Sequence, residues 1–574
     1  MFPNQFACQH ASTEFELTTT IQNRNLVVLH SYSHEPTRYS PTWKILCLIA
    51  VSLWRASIIL LSLGQTPSIA DSFTPAVDGN LTNPANWEHG TIPSPTEDGW
   101  ISTEKPEALF LSENLTLQQL ILFTNNAVSI ELKGHSLQSE IRMNRTQSDD
   151  AGKSLLIKNG TLTGNLWVDV PTSFENVQFN GSLQSEIPAA TGTQLLLNHV
   201  TGTISNWSVS QTAFGTHEVL MNGQSNIDFG TFSSQQLHAT EQSTATFDSI
   251  LSSKLTVDQG SKISTGESFV NSVEASGEGT ELSLGKATQF GNTPITLNVH
   301  DGAFVRSGEK DFPPEAVHAP FRTIIVDGSH SKVVLDSSSS GVIMMRSSNT
   351  DHSLVRVTSG AELEINGQLN VVTANKFQVG RVEVIDASIK GSLILSSSAL
   401  HLENGSVSGE SLFMLGGILE GAGTIDVPVI FLSSSTIDPM GLLTFTGSIS
   451  GTSNWYFNID SALEFDQVHV NGGLLYSQNL FVSFAGGFKG KVGDIFDILN
   501  VDGNFDVGQN LLNHLQVDHL PVGYAYRAVL GDHHLSIEIT SVPENSAMFS
   551  SFMGAVVLLS ISVVGANRRY RMDK

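Results

Sequence analysis

Short alternating apolar runs, each closed by Gly, Asn, Asp or Ser, recur along most of this 574-residue chain and constrain its fold more than any other feature. Examples are Leu155-Leu156-Ile157, Leu195-Leu196-Leu197, Val333-Val334-Leu335, Leu363-Glu364-Ile365, Val382-Glu383-Val384, Leu393-Ile394-Leu395 and Leu400-His401-Leu402. A period of two between turn residues is the signature of a β-strand. Between residues 71 and 540 no long window carries a 3.6-residue apolar period. The exception is 509–520, where Leu511, Leu512 and Leu515 predict a turn or two of helix. The chain is expected to be all-β.

The runs also repeat. Lys158-Asn159-Gly160-Thr161-Leu162 resembles Phe179-Asn180-Gly181-Ser182-Leu183, and Met221-Asn222-Gly223 falls on the same beat. Residues 381–391 match residues 399–409 at an offset of 18, and an earlier copy, 362–367, sits 19 before that. Rungs of about 18–22 residues fit one coil of a solenoid, which buries its inward side chains only by stacking on its neighbours. Asn at successive turns can then form hydrogen-bonded ladders. Asn-Gly is equally at home in the hairpins of antiparallel domains, so that architecture stays open. The expectation is a right-handed parallel β-helix, because units of this length cannot stand alone and no compact domain boundary shows.

Composition narrows the class. Charged residues make up 15% of the chain, against about a quarter in a typical domain. The net charge of -26 argues against nucleic acid and anionic headgroups as partners. Cys8 and Cys47 are the only cysteines. Both precede the signal cleavage site described next, so the mature chain needs no disulfide framework and has no thiol for catalysis.

Residues 45–63 are largely apolar and lead into Ser68-Ile69-Ala70, a small-x-small pattern that predicts signal cleavage after Ala70. Arg55 interrupts the apolar run unless synthesis starts at Val51, which makes Arg55 the basic n-region and 56–63 the h-region. Residues 1–50 then read as a leader or an over-long gene start. An N-terminal membrane anchor is the rival. At the other end stand Val542-Pro543-Glu544-Asn545, an apolar run at 547–566, and Arg568, Arg569, Arg571 and Lys574. About 20 residues at roughly 1.5 Å per residue span a bilayer core as a helix. The basic end is expected to stay cytoplasmic. One C-terminal transmembrane helix is therefore predicted.

Candidate chemistry is sparse. Asp149-Asp150 reads as a solvated turn, and Asp532-His533-His534, a conceivable metal site, as a Gly531-led hairpin turn. Arg381 and Lys390 flank a strand and read as exposed rungs. Trp87, Trp100, Trp167, Trp207 and Trp455 suit the core or the wall, and can also stack on sugars. A polysaccharide lyase needs clustered carboxylates around Ca²⁺ with a Lys or Arg base, and a hydrolase needs paired acids. No such grouping is visible in linear order. No catalytic residue, cofactor or metal ligand is assigned.

After residue 410 a Gly-rich stretch (416–425) leads to Asp438-Pro439-Met440-Gly441 and 442–445. An alternating aromatic run (455–459), then 465–472 and 493–499, complete the series. With the tail at 542–574, this order resembles the C-terminal half of bacterial PEP-CTERM β-solenoid proteins, which are similar to autotransporter β-helices. Asn83-Pro84-Ala85-Asn86-Trp87, with Gly90, Pro93, Asp98 and Ile101, resembles their opening rung cap. The chain departs from the pattern at Asn545, where the family has proline, and at the inserted Met440. The resemblance implies a Gram-negative source and sorting by an exosortase at Val542, Pro543, Glu544 and Asn545. It also implies release into, or attachment within, an extracellular polysaccharide matrix. The helix is then a transient membrane address and Arg568, Arg569 and Arg571 its basic end.

The expected organisation is a leader and signal peptide at 1–70, a β-solenoid at 71–410, a Gly-rich β segment at 411–540 and a sorting tail at 541–574. The expected function is that of an exported, non-catalytic rod at the cell surface or in the matrix. A polysaccharide-binding or polysaccharide-degrading β-helix is the alternative. The expected partners are an exosortase-type protease, extracellular polysaccharide and the membrane, and not nucleic acid.

Overall fold

The computed structural model describes residues 5–10, 13–22, 25–28, 71–73, 78–103, 107–124, 126–143, 153–168, 170–185, 194–209, 218–288, 295–308, 321–336, 342–346, 353–372, 380–475, 479–488, 490–505 and 508–541. The chain divides into two units, Met1–Ser68 and Ile69–Lys574. In the first, the strands Gln5–His10, Thr13–Gln22 and Asn25–Val28 form an antiparallel sheet in which Cys8 lies opposite Phe15.

The second unit is a parallel β-solenoid. Away from its ends, its strands pair in parallel with their equivalents one coil earlier and one coil later. The strands Asn226–Ala239, Thr244–Val257 and Lys262–Ser276 show the rule most clearly. Asn226 pairs with Thr244 and Thr244 with Lys262, so two successive coils have the same length. The burial of Asn226–Ala239 alternates almost without fault, so one row of side chains points inward and the next outward.

The inward rows hold the fold together. One row climbs through Leu115, Leu137, Leu162 and Phe179, passes Gly202, and continues through Ile227, Ala245, Ile263, Leu282 and Val305. It then runs through Val333, Leu363 and Ile389. A bond from Ser406 N–H to Ala387 O carries it to Val407, and thence to Ile425, Phe445, Val470 and Val501. Every side chain in the row is buried. A coil without its neighbours exposes this whole row, which is why the stack is cooperative. Aromatic rings stack in the same manner: Phe229 and Phe247 lie 4.6 Å apart and 4° from parallel.

Both ends of the stack are covered. At the start, Asn83 caps the 3-10 turn Pro84–Asn86 by accepting from Ala85 N–H at 3.1 Å. Buried Asn86 holds Asp78 and Asn80, while Trp87 donates from Nε1 to Leu81 O at 3.0 Å. The residues that resemble an opening cap do form one. At the far end the pairing turns antiparallel: His534–Ser541 lies between Ile495–Val501 and Tyr524–Leu530. The expected helical turn is the helix Gly508–Asn513, which buries Leu511.

Register corrects two of the sequence alignments. Arg381, Val382, Glu383 and Val384 do pair with Ala399, Leu400, His401 and Leu402. Glu362, however, stacks on Ser388 rather than on the 381 copy. Asn180-Gly181 stacks on Thr163-Gly164, not on Asn159-Gly160. The expected amide ladders exist, but between other partners. Asn176 Nδ2 donates to Asn159 Oδ1 at 3.1 Å, and Asn159 Nδ2 to Glu131 Oε1 at 2.9 Å. Asn159 and Asn176 sit at positive φ, 58° and 54°, which suits Asn at a corner.

The predicted C-terminal transmembrane helix is corrected. Among the described residues no helix is long and apolar enough to cross a membrane. The apolar run 547–566 lies outside the described residues, as do Ala70, Val542, Pro543, Glu544, Asn545, Arg568, Arg569 and Arg571. The fold class is therefore a parallel β-solenoid with antiparallel closure, without a membrane span among its described elements. The expected anchor at the cell surface and the membrane as a partner are corrected with it, because no described element supports them, and the motif that a sorting protease was expected to read lies outside the described residues.

Candidate functional site

One outward row carries five titratable groups on successive coils. Arg356, Glu383, His401, Glu420 and Asp438 occupy equivalent positions on successive rungs. They come from the strands Leu354–Thr358, Gly380–Ile385, Ser388–Ser408, Ser411–Asp426 and Val429–Phe445. Glu383 sits between the inward aliphatic residues Val382 and Val384, and His401 between Leu400 and Leu402, so strand alternation forces both outward.

The upper part of the row is neutralised. Glu383, only 6% exposed, bonds Arg356 on one side and Arg381 Nε at 2.8 Å on the other. The carboxylate holds Arg356 above the usual arginine range. Arg381 also reaches Glu420 at 3.5 Å. His401 Nδ1 lies 3.2 Å from the same Glu420 oxygen but makes no hydrogen bond.

The lower part is not neutralised. Asp438 stacks on Glu420, and burial followed by the Glu420 charge raises its pKa. Asp466 is buried beside them. Its Oδ1 accepts Gly441 N–H at 2.9 Å, and its Oδ2 accepts Asn458 N–H at 2.7 Å and Asn458 Nδ2 at 3.1 Å. Those bonds favour the carboxylate, yet burial outweighs them and the pKa is raised. Among the described residues no group of three or more His, Cys, Asp or Glu side chains could hold a metal ion. An aromatic pair follows on the next coils: Tyr456 and Phe481 stack 4.7 Å apart, 12° from parallel.

A second surface feature is a shallow open groove of about 320 Å³ over the rungs from Asn226 to Arg306. Thr246, Ser264 and Ser283 line it with hydroxyls, and Lys262 spans it to Glu281 at 2.7 Å. Opposite charges on adjacent rungs neutralise each other here as well.

The residues singled out from sequence fall as follows. Asp149-Asp150 lies outside the described residues. Asp532-His533-His534 forms the hairpin turn, closed by Gly531 N–H to His534 O at 2.9 Å. His533 Nδ1 lies 2.9 Å from Val501 O. Arg381 is not a free rung but an ion-pair partner of two coils. Trp87, Trp207 and Trp455 are core, while Trp100 rests on Phe123 and Trp167 lies under Arg142. The polysaccharide partner finds no support among the described residues: Trp87, Trp207 and Trp455 are buried, and Lys262, Arg356 and Arg381 pair with neighbouring carboxylates.

The row from Arg356 to Asp438 was missed in the sequence, because its members stand one per coil. Its signal was the repeat offset itself. Val382-Glu383-Val384, Leu400-His401-Leu402, Leu419-Glu420 and Ile437-Asp438 are one pattern carried forward. No protein-family model matches this chain, and no curated protein matches it either.

Proposed function

We infer that the solenoid unit is a non-catalytic, rod-like structural or adhesive element that works outside the cell. The observation that carries this reading is the inward row from Leu115 to Val501, which stacks coil on coil with a cap at each end. Such a stack lengthens by adding coils and presents long flat faces, the geometry of a spacer rather than of a pocket. Fold alone does not give function, and the surface chemistry adds to it. Several charges pair between adjacent coils, as Lys262 with Glu281 and Arg356 with Glu383. The likeness of 416–425, 438–445 and 455–459 to PEP-CTERM β-solenoid proteins supports a place among exported surface proteins.

The test is surface labelling of intact producing cells with an antibody against the solenoid, alongside cells permeabilised first. Labelling of intact cells, together with loss of cell–cell or cell–surface attachment on gene deletion, is the expected result. Label confined to permeabilised cells overturns the external location. Unchanged attachment overturns the adhesive role.

A further inference from the structure

We propose that the chain cuts itself in mild acid at the Asp438–Pro439 peptide bond, leaving a nicked solenoid whose two parts stay stacked. This is the one Asp-Pro dipeptide in the sequence. The proline nitrogen is a tertiary amide without an N–H. An aspartyl carboxyl can close a five-membered ring on its own main-chain carbonyl, a nucleophile held at high effective concentration.

The step balances without any outside oxidant or reductant. An oxygen of the Asp438 side-chain carboxyl bonds to the Asp438 main-chain carbonyl carbon. The bond from that carbon to Pro439 N breaks, and the nitrogen keeps the electron pair and takes the carboxyl proton. Pro439 leaves as a secondary amine and Asp438 remains as a cyclic anhydride. One water opens the anhydride to two carboxyl groups. The sum is hydrolysis of one peptide bond.

The fold loosens the chain at this bond. On one side, Val429–Phe445 pairs with Ser448–Ile459 only as far as Ile437↔Trp455, and with Gln467–Val470 only from Leu442↔Gln467 onward. On the other side, Glu420↔Asp438 and Gly421↔Pro439 are in register, and then the ladder slips so that Gly423 meets Leu443. Residues 440–442 bulge against a single residue, with Gly441 at φ 115° and Met440 58% exposed. Pro439 itself is buried, so the exposed bulge that begins at Met440 is the side on which the backbone has room to become tetrahedral and from which the water that opens the anhydride must come.

The surroundings also keep the proton that the leaving nitrogen needs. Asp438 faces Glu420 on one neighbouring coil, and Glu420 is in turn approached by His401 and Arg381. Asp466 is the other nearby acid, occupied with Gly441 and Asn458. Burial and the Glu420 charge hold the Asp438 proton to a higher pH than an exposed aspartate. After the cut, residues 429–437 and 442–445 each keep pairing to both neighbouring coils, so the nick stays silent until the stack is unfolded.

The experiment incubates the full chain at about pH 5, an acid range where an exposed aspartate has lost its proton. One sample is folded and one is in urea; both are then run on a denaturing gel with N-terminal sequencing. A fragment beginning Pro439-Met440-Gly441, forming at least about tenfold faster in the folded sample, is the expected result. Asp438→Glu, which keeps the charge but lengthens the ring, should bring cleavage down to background. Glu420→Gln should move the pH profile of cleavage downward without abolishing it. No fragment, an equal rate in urea, or cleavage undiminished in the folded Asp438→Glu variant overturns the proposal.

Discussion

Asp466 clasps Asn458 twice, accepting its backbone N–H at 2.7 Å and its side-chain Nδ2 at 3.1 Å through one oxygen. The other oxygen holds Gly441 N–H at 2.9 Å. One carboxyl thus ties a coil corner to the end of the following strand. Asp466→Ala leaves two backbone donors without their acceptor, and should cost about 2–4 kcal/mol on a urea titration.

The pH dependence of that tie runs opposite to most paired carboxylates. Burial raises the folded pKa of both Asp466 and Asp438 above the ordinary 3.8. A raised folded pKa means stability fully present below the unfolded value and lost as pH rises through the folded one. The contribution of these two groups to stability should therefore fall as pH rises from 3.8 through their raised folded pKa values, against the opposite trend of carboxylates such as Asp327 and Glu364, whose folded pKa is lowered. Asp438→Asn combined with Asp466→Asn should flatten that slope in a thermal scan across the range.

At the N-terminal cap, His89 Nδ1 meets the buried Asp71 carboxylate at 2.9 Å, and that hydrogen bond raises the histidine pKa. The stability this pair contributes is present below 6.5 and lost as pH rises through the folded value. Amide protection in Asp71–Phe73 should weaken above that range in hydrogen exchange, while the coils around Val305 stay protected. His89→Ala should remove the pH effect on the cap.

Glu383 stands between Arg356 and Arg381. Glu383→Ala leaves two facing guanidinium groups on a half-exposed surface. A loss of about 1–3 kcal/mol is expected, measured by denaturant midpoint, because hydrogen bonds to charged groups carry more than neutral ones. Arg381→Ala should cost less, since Arg356 still satisfies the carboxylate.

Gly164 and Gly181 stack directly on one another. A Cβ on Gly181 falls well inside contact distance of the Gly164 carbonyl, and Gly164 itself sits at φ 134° with Ser139 O as close. Gly181→Ala must push two coils apart at that corner. It should lower stability by about 2–4 kcal/mol, more than Gly134→Ala, where an added methyl meets open space and only the strain of a φ of 82° is felt.

Much of the fold was legible in the chain. Period-two runs and turn residues announced strands, and the match between 381–384 and 399–402 is the actual rung pairing. The N-terminal cap was legible only through the resemblance of Asn83 to Trp87 to the opening cap of a known family, and the local bonds that make it one appear in the structure. Where coils lengthen, the repeat offset failed as a guide. Leu363 meets Ile389 rather than Val382, since this coil is longer than the 18-residue offset seen elsewhere. The candidate site was illegible for a related reason: Glu420 and Asp438 are a whole coil apart in sequence and become neighbours only once the coils are stacked.

By itself, the sequence determined that the chain forms strands, that turns interrupt them at short intervals, and which side chains face inward. These follow from alternation and turn propensity, which act over a few residues. Only the tertiary structure decided which rungs touch. Register is fixed by the summed burial of a whole inward row, and each corner loop can absorb residues without disturbing it. The charged row from Arg356 to Asp438, the slack corner at Pro439 and the antiparallel closure against Ile495–Val501 are products of that stacking.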